Sequence, residues 1–188
     1  MKFALRIAFL LLVVVPLAAW FIVKPVRVIE PTVNGMYCAS KSVCVDAADK
    51  LPQATALYDE SLLFVGNHVG AIQGQPLVGF CSTPACADQF GLGARSAVTV
   101  GTLGTVIGPN AWNAYYVRHE LIHHLQGQRW GVLRRMFMPS WLVEGMAYAL
   151  SEDLRAQLAE PWQQYRDQFN QWLATVGREN LWNAASRL

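Results

Sequence analysis

The sequence predicts an α+β fold: a small mixed β-sheet packed on one long functional helix, further helices toward the C-terminal end, and one N-terminal transmembrane helix. Three observations predict it. Short β-branched runs broken by glycine fill residues 61–107, helical periodicity takes over from residue 110, and an uncharged apolar run covers residues 7–23. With 188 residues the chain can hold one modest domain with a real core.

The apolar run follows Lys2 and Arg6 and ends at Lys24. Its length is near the lower limit of the ~17–25 residues that cross a bilayer as a helix. A cleaved signal peptide is the rival, with Ala18 and Ala19 as a cut site, but Leu17 stands where a small residue is preferred. Trp20 and Phe21 suit a membrane interface. Residues 1–24 therefore read as a signal anchor, 25–35 as a juxtamembrane linker containing Pro25 and Pro31, and 36–188 as the functional domain. Cys38, Cys44, Cys81 and Cys86 follow this leader as two close-spaced pairs, which reads as two disulfides with three possible connectivities. Local pairing is the simplest of these. A structural zinc knot prefers two-residue spacers, which neither pair has, and free buried thiols are the remaining reading. The expected location is a single-pass, membrane-anchored protein with its domain outside the cytoplasm, periplasmic in a bacterium.

Candidate strands are residues 62–65, 77–80, 97–100 and 105–107, each bounded by Gly, Pro or Asn, and a short helix is expected over 47–58. Asn110 is a plausible N-cap for a helix over 111–126 that ends at Gly127. A second helix begins at Ser140, after Pro139, and runs to Leu150. A third starts near Pro161 and carries Trp162, Tyr165, Phe169, Trp172 and Leu173 at helical spacing, an aromatic stripe read as core packing. The formal net charge of +2, with scattered Lys and Arg, gives no argument for nucleic acid.

The chemistry lies in Arg118-His119-Glu120-Leu121-Ile122-His123-His124. His119 and His123 stand four apart, so on a helix both imidazoles leave one face a turn apart and can reach one zinc at ~2.0–2.1 Å. Glu120 is rotated off that face but can lean over the open side of the metal and accept a proton from water. Trp141-Leu142-Val143-Glu144-Gly145-Met146-Ala147 supplies a carboxylate on a separate helix, among apolar neighbours that argue for burial. A buried carboxylate wants a cation, and two histidines plus one glutamate complete a three-ligand catalytic zinc site with a position left for water. Gly145 leaves room for the two helices to approach near the metal.

His-Glu-x-x-His followed by Trp-Leu-x-Glu-Gly-x-Ala resembles the gluzincin metallopeptidases, which include the thermolysin and aminopeptidase N groups, with wording closest to aminopeptidase N. The resemblance covers residues 95–155. It implies a zincin-type active-site helix, one Zn2+ held by His119, His123 and Glu144, Glu120 as general base, and an edge strand before the helix (97–100 or 105–107) to which extended substrate adds. The chain departs from the family in lacking a Gly-x-Met-Glu-Asn segment for a free amino terminus, and Tyr148 stands where thermolysin relatives carry Asp. No histidine follows His124, so Tyr148 or Tyr165 is the candidate transition-state stabiliser. His124 and His68 read as packing or supporting residues. The expected function is zinc-dependent hydrolysis of a peptide or protein substrate. The alternative is a catalytically inactive zincin-fold binding or assembly factor tethered to the membrane.

Overall fold

The computed structural model describes residues 6, 7 and 9–188. In chain order the elements begin with a π-helical turn Leu10–Val14 running into α1 (Val15–Ile22), followed by 3-10 turns at Lys24–Ile29 and Pro31–Asn34. Next come β1 (Tyr37–Cys38), β2 (Val43–Val45), α2 (Leu51–His68), β3 (Val78–Phe80), α3 (Pro84–Gln89), β4 (Ala97–Val100) and β5 (Gly104–Ile107). The helical half comprises α4 (Ala114–Trp130), α5 (Val132–Phe137), α6 (Ser140–Leu150), α7 (Trp162–Val176) and α8 (Leu181–Ala185).

The expected transmembrane helix does not hold. Among the described residues, no helix is long and apolar enough to cross a membrane. The π-helical turn and α1 have 5 and 8 residues. At ~1.5 Å per residue they span about 20 Å, short of a hydrocarbon core of ~30 Å. Lys24-Pro25 then turns the chain into a 3-10 helix whose Val28 is fully buried against the sheet at Gly104. Residues 1–5 and 8 of the expected anchor lie outside the described residues. The single-pass, membrane-anchored location built on that helix falls with it. The cysteines do form two disulfides, Cys38–Cys44 and Cys81–Cys86, with no free thiol, which fits an oxidising environment.

The α+β architecture itself is present as a five-stranded mixed sheet of order β1-β2-β3-β5-β4. β2, β3 and β5 run parallel, with Val43 beside Val78 and Val78 beside Thr105, while β1 and β4 pair antiparallel at the two edges. Alternation divides the central strands between two faces. Val43, Val45, Val78, Phe80 and Ile107 join the core under α2, α4, α6 and α7. Cys44, Cys81 and Val106 join a smaller core with Val28, Met36, Phe90 and Leu92 on the other side. The first disulfide links directly paired residues of β1 and β2, and the second ties the end of β3 to α3.

The run at residues 62–65, expected as a strand, lies inside α2. Ala54, Tyr58, Ser61 and Val65 form the buried face of that helix, and their spacing of four and three outweighs a four-residue apolar run. α4 begins at Ala114 with Asn113 as its N-cap position, because residues 109–111 form a 3-10 turn, and it continues through Gly127 to Trp130. A Cβ at Gly127 would stand 3.0 Å from Thr102 Cγ2 and 3.3 Å from Gly101 O, so the glycine admits the β4–β5 turn rather than ending the helix. Gly145 serves close approach, but to α7 and not to α4. A Cβ there would lie 2.3 Å from Tyr165 O and 2.8 Å from Phe169 Cβ. Gly145→Ala is therefore expected to lower stability by about 3 kcal/mol through overpacking. Denaturant unfolding checks this, and an unshifted midpoint would contradict the α6–α7 contact.

Candidate metal centre and its cleft

α4 is buried on most of its circumference. Val117, Leu121, Ile122 and Leu125 have no exposure, while His119, Glu120 and His123 retain 7–8 % at the foot of a cleft. Arg118 fixes the register of the first turns. It pairs with Glu60 of α2 and with Glu152 beyond α6, and it donates to Ser151 O. The short α5 and Pro139 return the chain so that Glu144 faces the histidine pair.

Three side chains converge. His119 Nε2 and His123 Nε2 are 3.1 Å apart, and Glu144 Oε2 lies 3.7 Å from the first and 3.5 Å from the second. Ligand atoms at the corners of a tetrahedron with bonds of ~2.0–2.1 Å stand ~3.3 Å from one another. The separations match that spacing, so this group can hold a metal ion. Burial acts to raise the Glu144 carboxyl, but His123 and His119 hold it well below the usual carboxylate range. Burial acts to lower His123, and Glu144, with Glu120 and Gln126 behind it, carries it above its ordinary value. A proton on His123 and a divalent cation would thus compete for the same imidazole, and metal uptake would weaken as pH falls.

A residue with no part in the sequence expectation sets the chemistry of His123. Gln126 Nε2 donates to Val143 O at 2.8 Å, which turns its Oε1 toward His123 Nδ1 at 2.9 Å. A carbonyl oxygen only accepts, so Nδ1 carries the hydrogen, and in the neutral ring Nε2 presents its lone pair to the site. Arg135 Nη1 donates to His123 O at 3.0 Å and braces the same turn. Support of this kind, aimed at the non-ligating nitrogen, is what orients a metal-binding imidazole.

Glu120 is not one of the three. Thr99 of β4 donates its hydroxyl to Glu120 Oε2 at 2.6 Å, and Thr105 of β5 lies 2.8 Å from the Thr99 hydroxyl. Tyr148 packs its ring 4.4 Å from that of His119. Burial, then the charge of Glu144, pushes the Tyr148 phenol up to about 12. Tyr165 has another place: its carbonyl lies against Gly145, its ring packs beside Trp162, and it does not line the cleft. His124 points away and meets Gln128 Nε2 at 3.1 Å; burial and then Arg135 lower its pKa. His68 ends α2, stacked on Phe64.

The cleft above these groups has a volume of about 720 Å³, and the edge strand β4 forms one wall through Ala97, Val98 and Thr99. Trp162, expected in the core, is 38 % exposed and lines the cleft instead. Two signals for the missed residues are present in the sequence: Gln126 lies three positions after His123, and Thr99 is the polar residue of an otherwise apolar strand. Comparison with protein families, with curated proteins and with solved structures gives no match.

Proposed function

We propose that this chain is a zinc-dependent peptide hydrolase of gluzincin type, with His119, His123 and Glu144 as ligands and Glu120 as general base. The observation that carries the reading is the tetrahedral spacing of those three ligand atoms beside a carboxylate that is not one of them. Held by these three residues, a zinc ion would supply Lewis acidity for hydrolysis.

The tasks of the protein groups follow from their places. Glu120, oriented by Thr99, accepts a proton from the attacking water and returns it to the leaving amine. Tyr148 retains its phenolic proton at neutral pH and serves as donor to the oxyanion that develops beside His119. β4 offers an open strand edge along which an extended peptide pairs its backbone. The cleft volume is of the size that holds a short run of residues.

Metal analysis by mass spectrometry, combined with a peptide-library digest before and after chelation, tests the reading. The expected result is about one zinc per chain, cleavage abolished by chelation, and cleavage restored by added zinc. Failure to take up zinc, or cleavage indifferent to the chelator, would sink the proposal.

A further inference from the structure

The charges around the cleft do not balance, and the imbalance falls on one residue. The carboxylates lining it are Glu120 and Glu144, and the cations are Arg95, Arg135 and Arg155. Arg155 is matched by Asp153, whose side chain is 1 % exposed and receives Nε at 2.9 Å and Nη2 at 2.5 Å. Arg95 lies exposed at the rim and donates to Gly91 O and Leu92 O.

Arg135 differs from both. It is half-buried, it lines the cleft, and among the described residues it forms no ion pair. Its side-chain hydrogen bond is the one from Nη1 to His123 O, whereas a guanidinium carries five N–H donors in a rigid fork. The charges it faces are those of Glu144 and Glu120. A divalent ion on the histidine pair would neutralise those two carboxylates and leave the guanidinium uncompensated. Withdrawing a cation from water without a partner is unfavourable, so the complete site calls for one more anion.

We propose that a carboxylate of the substrate supplies this anion, with Arg135 as its recognition residue, so that the preferred substrates are carboxylate-bearing peptides. The inference rests on the peptide-hydrolase reading and deepens it. A carboxylate meets a guanidinium through two parallel hydrogen bonds, which gives Arg135 discrimination against a carboxamide of the same shape. The carboxylate has two possible sources, the end of the peptide chain or an Asp or Glu side chain.

The test measures equilibrium binding of peptide pairs to zinc-loaded Glu120→Gln protein. One pair differs in a free against an amidated C-terminus, the other in Glu against Gln. One pair is expected to show at least about tenfold tighter binding of the carboxylate form, the size of a charge-assisted hydrogen bond. That pair identifies the source. In an Arg135→Gln, Glu120→Gln double variant the ratio is expected to collapse toward one. Zinc content is read on the same samples. If Arg135→Gln sheds zinc, Arg135→Lys carries the test, with zinc retained and the ratio reduced severalfold because the fork is lost. Equal binding within both pairs, or a ratio untouched by every zinc-retaining Arg135 variant, overturns the proposal. Wild-type protein that hydrolyses none of the peptides sinks the hydrolase reading instead, and the binding ratio still reports on Arg135.

Discussion

Glu120→Gln is expected to keep its zinc and lose peptide hydrolysis by about a thousandfold. The substitution is nearly isosteric, and a Gln oxygen can still accept the Thr99 hydroxyl that Glu120 Oε2 accepts at 2.6 Å. The three metal-facing atoms come from other residues, so the ligand set stays intact. What disappears is proton transfer, since a carboxamide neither takes a proton from water nor delivers one to an amine at neutral pH. Steady-state kcat/KM on a fluorogenic peptide, with zinc content measured alongside, provides the check. Turnover near the wild-type level would remove Glu120 from the mechanism, whereas no turnover by the wild-type protein would favour an inactive zincin-fold binding factor.

His123→Ala and Glu144→Ala are expected to release the metal, and Gln126→Leu to weaken it by about 10–100-fold without touching a ligand. The first two remove a corner of the tetrahedron. The third removes the acceptor that holds the hydrogen on His123 Nδ1, and with it the preference for a lone pair on Nε2. Competition against a chromophoric chelator measures all three affinities. Because Glu144 raises the pKa of His123 in the metal-free protein while its own carboxyl is held low, the same titration should show affinity falling as the imidazole takes up its proton on lowering the pH. Zinc affinity unchanged in Gln126→Leu would mean that the tautomer of His123 is set by something else.

The two-part motif was legible because helical geometry is rigid: a spacing of four puts His119 and His123 on one face whatever surrounds them. The position of Glu144 followed from chemistry, a carboxylate among Trp141, Leu142 and Met146 with no nearby cation in sequence. The outlines of β3, β4, β5, α4, α6 and α7 were readable from runs and breakers. The strand expected at residues 62–65 failed because a short apolar run carries no period of its own, whereas the helix that contains it has a buried face spread over twelve positions. β1 and β2 are too short to leave a pattern, and a disulfide holds them in register. The length, flanks and composition of the apolar leader are blind to where its helix ends. The roles of Thr99, Gln126 and Arg135 depend on which strand or turn lies opposite them. That information exists only in the tertiary fold.

The two borders of the sheet are unequal. On one side, β1 has two residues, which leaves little backbone on which another chain could align, and Cys38–Cys44 ties it to β2 on its inner side. On the other, β4 has four residues, pairs with β5 alone, and flanks the side chains that could hold a metal. On the proposed peptide-hydrolase reading, an extended chain that docks by main-chain pairing would find its longer run of edge backbone beside Glu120. An extended peptide bound as proposed would then lie at the margin opposite the first cystine, which holds the two-residue border strand in register with β2.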